Sequence, residues 1–143
     1  MDSTEQNLRQ QVIALDDYDD AADALRALKR LNPAAAEPLC RDILTEAKGD
    51  AYFQAFAFET LYATNLQAGI ALIENPPAKL STATLKAMIE CVTEDSGITG
   101  EAPCILDTVA PLWALIQRLS PNEAEHIGET IAWFRQTYPD DNP

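Results

Sequence analysis

Residues 50–75 read DAYFQAFAFETLYATNLQAGIALIEN, and this segment carries the strongest fold signal in the chain. Asp50 is a good N-cap and predicts a helix over about residues 51–63. The large apolar side chains of this helix cover more than one of its faces: Tyr52, Phe53, Phe56, Phe58, Leu61 and Tyr62. A helix that is apolar on nearly all sides is usually buried on two of them, so we place it at the centre of the protein. Asn65 then predicts a second, shorter helix, which the prolines at 76 and 77 end.

Helix signals continue on both sides of this segment, whereas the alternating pattern of strands does not occur. The other predicted helix starts are Ser3, Asp20, Asn32, Ser81 or Thr82, Pro103 and Ser120. Gly49 is expected to end the helix that Asn32 begins, because glycine readily adopts the left-handed conformation found after helices. Eight short helices with brief connections predict a single all-α domain of antiparallel neighbours over residues 1–143.

A shift of 33 residues aligns two parts of the chain. It places Ala22 on Ala55, Leu28 on Leu61, Asn32 on Asn65, Ala35 on Ala68 and Leu39 on Leu72. Each copy reads as a helix, a turn that begins with Asn and a second helix, and such hairpins bury their apolar faces by stacking. Over residues 20–75 the chain therefore resembles the HEAT-like class of α-helical repeats, which implies a stack of helical hairpins. The alternative is an irregular helical bundle.

The chain is strongly acidic, with 23 Asp and Glu residues against 10 Lys and Arg residues and a net charge of −13. Residues 1–23 carry a net −6 and residues 90–143 a net −8, whereas residues 24–89 carry +1. Nucleic acids and acidic membranes would repel such a chain, so we expect neither as a partner. The charge favours a basic protein as the partner. The alternative is that acidity serves only solubility.

No catalytic motif is apparent in the sequence. The five glycines form no phosphate-binding loop, and no Ser or Cys lies in a nucleophile motif. Glu123 and His126 have the spacing of half a di-metal site, but a single histidine cannot supply the other half, and helix capping explains Glu123. The widely spaced Cys40, Cys91 and Cys104 do not suit a zinc site and are expected to be buried free thiols. We therefore expect no enzymatic activity, no metal and no cofactor.

Two groups of residues are candidates for a partner-binding surface. The first is an aspartate cluster that consists of Asp16, Asp17, Asp19, Asp20 and Asp23. The second consists of Glu94, Asp95, Glu101 and Glu129, with Trp133 as an anchor. Trp133 lies off the apolar stripe of the last helix, which is formed by Ile127, Ile131, Phe134 and Tyr138. It is therefore either an exposed interface residue or a residue covered from another side.

By size, acidity and predicted helicity, the chain is similar to bacterial immunity proteins, which are antitoxins that neutralise a cognate toxin. The resemblance implies an acidic surface that steers a basic toxin, such as a nuclease, and blocks its substrate site. One alternative is an adaptor or secretion chaperone with an apolar groove lined by residues such as Tyr52, Phe56, Tyr62 and Trp113. Another is an enzyme whose pocket contains His126 and a carboxylate.

The expected location follows from two features of the sequence. The N-terminal residues lack the basic and apolar blocks of a signal peptide, and no apolar run is long enough for a membrane span. We therefore expect a cytoplasmic protein, either a monomer or a weak homodimer that forms through the last helix.

Overall fold

The computed structural model describes the backbone of residues 3–95 and 103–139 and the side chains of residues 4–95 and 105–139. These residues form ten helical segments and no strand, so the predicted all-α fold is confirmed. The segments are α1 (Ser3–Ala14), α2 (Tyr18–Leu31), α3 (Pro33–Thr45), α4 (Ala51–Thr64), α5 (Leu66–Glu74), α6 (Thr82–Asp95), α7 (Pro103–Leu106), α8 (Val109–Gln117), α9 (Pro121–His126) and α10 (Gly128–Thr137).

Helices α2, α4 and α6 each contain 14 residues and begin with the same kind of cap. In each case the capping side chain accepts a hydrogen bond from the backbone N–H three residues later. The capping residues are Asp17 (3.1 Å), Asp50 (2.8 Å) and Ser81 (3.1 Å). The predicted cap Asp50 is therefore confirmed, whereas Asp20 is wrong as the cap of α2. Asp20 instead donates its N–H to Asp17, because only Asp17 has the extended backbone of a cap.

The 33-residue shift also relates the ends of α2 and α4. Asn32 and Asn65 have nearly the same backbone angles, φ −155° and ψ 91° against φ −147° and ψ 95°. Each donates its side-chain amide to a glutamate on the preceding odd-numbered helix, Asn32 to Glu5 (2.6 Å) and Asn65 to Glu37 (3.0 Å). Asn65 also caps α5 as predicted, whereas the Asn32 side chain makes no capping bond to α3. The shift therefore relates positions that are structurally similar.

Helix α4 lies at the centre, as its sequence predicts. It packs against α2, α3, α5 and α6, and α1 and α10 cover the outer sides of α2 and α6. Phe58, in the middle of α4, is fully buried, and so are Leu25 on α2 and Met88 on α6. In the order of contacts α1–α2–α4–α6–α10, helices α1 and α2 therefore lie on one side of α4, and α6 and α10 lie on the other.

Ten segments replace the predicted eight because two predicted helices are each divided. Pro111 lies in the first turn of α8 and has no N–H to donate to the carbonyl of Asp107, four residues earlier. The helix is consequently interrupted between α7 and α8, where Thr108 is buried. The second interruption is at Ile127, which is buried in the core between α9 and α10, and the glycine that follows it is a weak helix former.

The end of α3 also differs from the prediction. The helix ends at Thr45 rather than at Gly49. Ala47 adopts the left-handed conformation with φ 53°, and the N–H of Lys48 donates to the carbonyl of Ile43 (2.9 Å). This is the hydrogen bond of a Schellman motif, which ends a helix by satisfying one of its last carbonyl groups.

Candidate protein-binding surface

The aspartate cluster lies where α1 meets α2, and all five of its side chains are exposed. Four of them line a groove with a volume of about 720 Å³. Its lining residues are Leu8, Gln10, Gln11, Ala14, Asp16, Asp17, Asp20, Asp23 and Ala24. No lysine or arginine is among them, so all the charged side chains that line this concave surface are negative. Asp19 is exposed nearby but does not line the groove.

Local structure accounts for part of this cluster. Asp17 caps α2, and Asp19 and Asp20 lie in the first turn of α2, where the helix dipole favours negative charge. Asp23 pairs with Arg26 (2.8 Å), but both side chains are exposed, so the pair contributes little to stability. Asp16 precedes the helix and, among the described residues, has no ion pair or hydrogen bond. Helix capping alone therefore does not explain the cluster.

The second predicted group is divided by the structure. Asp95 is half-buried at the end of α6 and accepts a 2.6 Å hydrogen bond from the hydroxyl of Tyr62 on α4. Burial and this bond raise the pKa of Tyr62 above its ordinary value. Glu94 is exposed one residue earlier, and Glu101 lies outside the described residues. Asp95 thus holds α4 against α6 in addition to any role at the surface.

Glu129 and Trp133 lie together on α10. Trp133 is 38% exposed and lines a depression of about 480 Å³ with Glu129, His126, Lys86 and others. The other tryptophan, Trp113, is 5% exposed and donates its indole N–H to the carbonyl of Tyr138 (3.0 Å). Trp133 is therefore an exposed residue and is not covered from another side.

The apolar groove expected for an adaptor does not form from the residues named for it. Tyr62 and Trp113 are 8% and 5% exposed and belong to the core. Tyr52, in contrast, is 77% exposed, and Phe56 is half-buried beneath the guanidinium of Arg26, 4.9 Å from the ring centroid. Only part of the aromatic surface of α4 is therefore available to a partner.

Sequence reasoning missed the charged residues beside these aromatic side chains. Glu59 on α4 and Lys86 and Glu90 on α6 line a shallow depression of about 190 Å³ with Tyr52 and Phe56. The 33-residue shift carries a signal only for the α4 side of this surface, because Lys86 and Glu90 lie outside the aligned residues. It aligns the positions of Tyr52 and Phe56 with Asp19 and Asp23 of α2, both of which are exposed.

Of the three cysteines expected to be buried, Cys40 is buried and Cys91 is half-buried, and the side chain of Cys104 lies outside the described residues. Burial raises the pKa of the Cys40 and Cys91 thiols to about 12, which leaves them protonated and unreactive at neutral pH. Glu123 forms a capping box with Ser120 and accepts a 2.9 Å hydrogen bond from Thr82, and these bonds lower its pKa. Within residues 3–95 and 103–139, no three His, Cys, Asp or Glu side chains form a group with metal-binding geometry.

Comparisons with protein-family models, with curated proteins and with solved structures found no match to this chain. In the described part of the chain, no helix has both the length and the apolar character needed to cross a membrane.

Proposed function

We propose that this protein binds a basic protein partner through its acidic surface and acts as an immunity protein that neutralises a cognate bacterial toxin. The observation that carries the proposal is the groove between α1 and α2, which four aspartates line and no lysine or arginine lines. A catalytic role and a cofactor are not part of the proposal, and we place its action in the cytoplasm.

The electrostatics of the groove support a basic partner. Concave surfaces with one sign of charge concentrate the electric field, which speeds encounter with an oppositely charged protein and fixes its orientation. If the toxin is a nuclease, the carboxylates would take the positions of substrate phosphates and block its active site. The acidic depression around Glu129 and Trp133 is a second contact region on the far side of α4.

We also propose that the helices form a HEAT-like stack, and the matched helices α2, α4 and α6 support this. Helices α2, α4 and α6 have equal lengths and equivalent caps, and consecutive members of the three are in contact. Stacked helical hairpins form extended surfaces to which each hairpin contributes one strip. In this arrangement the partner would contact several consecutive hairpins at once.

A pull-down from the lysate of the source cell tests the proposal, with tagged protein at low salt and at about 0.5 M salt, where screening acts within a few ångströms. The groove variant carries four substitutions: Asp16→Asn, Asp19→Asn, Asp20→Asn and Asp23→Asn. Asp17 is kept because it caps α2. A control variant changes the net charge equally at exposed sites elsewhere: Asp42→Asn, Glu46→Gln, Glu74→Gln and Asp107→Asn.

At low salt, the native chain and the control variant are expected to capture one basic protein. The groove variant should capture this protein poorly, and high salt should release it. Equal capture by the native chain and the groove variant would contradict the proposal. Capture that persists at high salt would instead support the adaptor alternative, for which exposed Tyr52 is the favourable observation.

A further inference from the structure

Two adjacent depressions lie along α4, α6 and α10, with Tyr52 exposed at one and Trp133 at the other. They are the depressions of about 190 and 480 Å³ described above, and they share Lys86 and Glu90 as lining residues. Tyr52 and Phe56 lie at the α4 end, and Trp133 lies at the α10 end. We call this surface the α4–α6–α10 cleft.

The cleft has more negative than positive charge. Its lining includes four carboxylates, Glu59, Glu90, Glu125 and Glu129, and one ammonium group, that of Lys86. Lys86, which is exposed, pairs with the half-buried Glu90 at 3.6 Å. The pKa of Glu59 is raised, first by burial and then by repulsion from Glu90 and Glu94, although Lys86 opposes the shift. Lys86 therefore neutralises only part of the charge that faces the cleft.

The aromatic walls of the cleft suit a guanidinium group in particular. The chain itself covers two aromatic faces in this way, with Arg26 over Phe56 (4.9 Å) and Arg135 over Trp113 (5.2 Å). Among the described residues, no cation and no second ring is stacked on Tyr52 or Trp133. A guanidinium that stacks on a ring can still pair with a carboxylate at its edge, which an ammonium cannot do as well.

We propose that the α4–α6–α10 cleft binds an arginine-bearing segment of the partner protein, with guanidinium groups stacked on Tyr52 and Trp133 and paired with Glu90 and Glu129. In the free protein Lys86 forms an ion pair with Glu90, and the incoming arginine displaces Lys86 from this pair. The inference rests on the proposed function in that it takes the partner to be a basic protein. It extends the contact region around Glu129 and Trp133 to Tyr52 and identifies the side chain that this region recognises.

Fluorescence anisotropy with labelled nona-arginine and nona-lysine peptides tests the cleft without the natural partner. The native protein is expected to bind nona-arginine more tightly than nona-lysine. The variants Tyr52→Ala and Trp133→Ala should each weaken nona-arginine binding about two- to fivefold, as expected for an exposed cation–π contact. They should leave nona-lysine binding nearly unchanged. Circular dichroism verifies that each variant is folded.

Lys86→Met and Lys79→Met form a matched pair, because each removes one exposed positive charge and only Lys86 lines the cleft. Lys86→Met should tighten nona-arginine binding about threefold, since it frees Glu90. Lys79→Met should change it less, because Lys79 does not line the cleft and physiological salt screens charges over a length of about 8 Å. Equal effects of the two variants would overturn the displacement of Lys86.

The groove variant, with four aspartates replaced, separates this inference from the proposed function. If that variant loses the peptide and the cleft variants retain it, the inference is wrong and the groove is the binding site. If the cleft variants weaken nona-arginine binding by the expected factor and the groove variant binds it as tightly as the native protein, the inference holds and the groove is the wrong site for the basic partner. No binding of nona-arginine to the native protein would also overturn the inference.

Discussion

Helices α2 and α4 have the same length and equivalent caps, yet the first two turns of α2 carry aspartates where those of α4 carry aromatic residues. Three pairs of positions related by the 33-residue shift are buried in both helices: Ala24 with Ala57, Leu25 with Phe58 and Leu28 with Leu61. At three other pairs of positions, α2 has an aspartate where α4 has an aromatic residue: Asp19 with Tyr52, Asp20 with Phe53 and Asp23 with Phe56.

The number of neighbours explains part of this difference. Helix α4 packs against four other helices, whereas α2 packs against α1, α3 and α4. Phe53 is 3% exposed because neighbouring side chains cover it, and one of these is Tyr18, whose ring stacks at 6.2 Å. Tyr52 has no such cover and remains 77% exposed. The buried matches therefore maintain the fold, and the exposed differences define the surfaces that we assign to binding.

The largest expected effect concerns Cys40, which the 33-residue shift aligns with Ile73. Both side chains are fully buried, and burial raises the pKa of the Cys40 thiol from 9.0 to about 12. At pH 8 the thiolate fraction should fall about a thousandfold relative to the unfolded chain, and the rate of alkylation should fall with it. Peptide mass spectrometry after iodoacetamide treatment, with and without urea, measures this rate at Cys40 alone.

Fast alkylation of Cys40 in the folded protein would show that this position is not the apolar equivalent of Ile73. The raised pKa of Cys40 also makes the stability of the protein depend on pH. Because the pKa of this thiol is higher in the folded than in the unfolded chain, its contribution to the free energy of unfolding is fully present below pH 9. This contribution is lost as the pH rises towards 12.

The next largest effect compares Phe58→Ala with Leu25→Ala at the matched buried positions. Phe58→Ala should lower the free energy of unfolding by about 4 kcal/mol and Leu25→Ala by about 3 kcal/mol, because the aromatic side chain leaves a larger cavity. Urea denaturation monitored by circular dichroism measures both values. A smaller loss for Phe58→Ala than for Leu25→Ala would contradict the central position of α4.

The helix caps should give a smaller effect with a defined order. Asp50→Ala should cost about 1 to 2 kcal/mol and Asp17→Ala about 0.5 to 1 kcal/mol in the same urea experiment. The reason for the order is that the Asp50 bond is shorter, 2.8 Å against 3.1 Å, and is partly buried. Asp20→Ala is the control, since Asp20 does not cap α2, and a loss as large as that of Asp17→Ala would contradict the assigned cap.

The smallest effect is expected at the exposed positions. Tyr52→Ala and Asp19→Ala should each change the free energy of unfolding by less than about 0.5 kcal/mol, because both side chains are exposed. Thermal and urea unfolding of both variants verify this. A large destabilisation by Tyr52→Ala would mean that its ring serves the fold and is not available to a partner.

Much of the fold could be predicted because local chemistry defines the helix ends. Asp50, Asn65 and Ser120 were predictable caps, and each makes the expected hydrogen bond. The composition of residues 16–20 does not identify which residue caps α2, because this stretch contains four aspartates and each of them is a suitable cap. The equivalence of Asp17 with Asp50 at the 33-residue shift identifies the correct one.

The candidate surface was less predictable, because it depends on which helices are neighbours. The aspartate cluster is contiguous in sequence, so its exposure and proximity followed directly. Glu59, Lys86, Glu90 and Trp133 come from three helices, and only the packing of α6 between α4 and α10 brings them together. Asp95 was predicted as a surface acid, but its bond to Tyr62 depends on a contact between two helix ends.

The dissociation constant of the captured partner, measured against salt concentration, tests the central claim most directly. For the native protein it should rise on the order of tenfold or more between low salt and about 0.5 M, since oppositely charged surfaces are screened. The groove variant should bind more weakly at low salt and show a clearly smaller salt dependence, whereas the matched control should follow the native protein. Superimposable curves for the native protein and the groove variant would contradict the claim that the aspartates between α1 and α2 bind the partner.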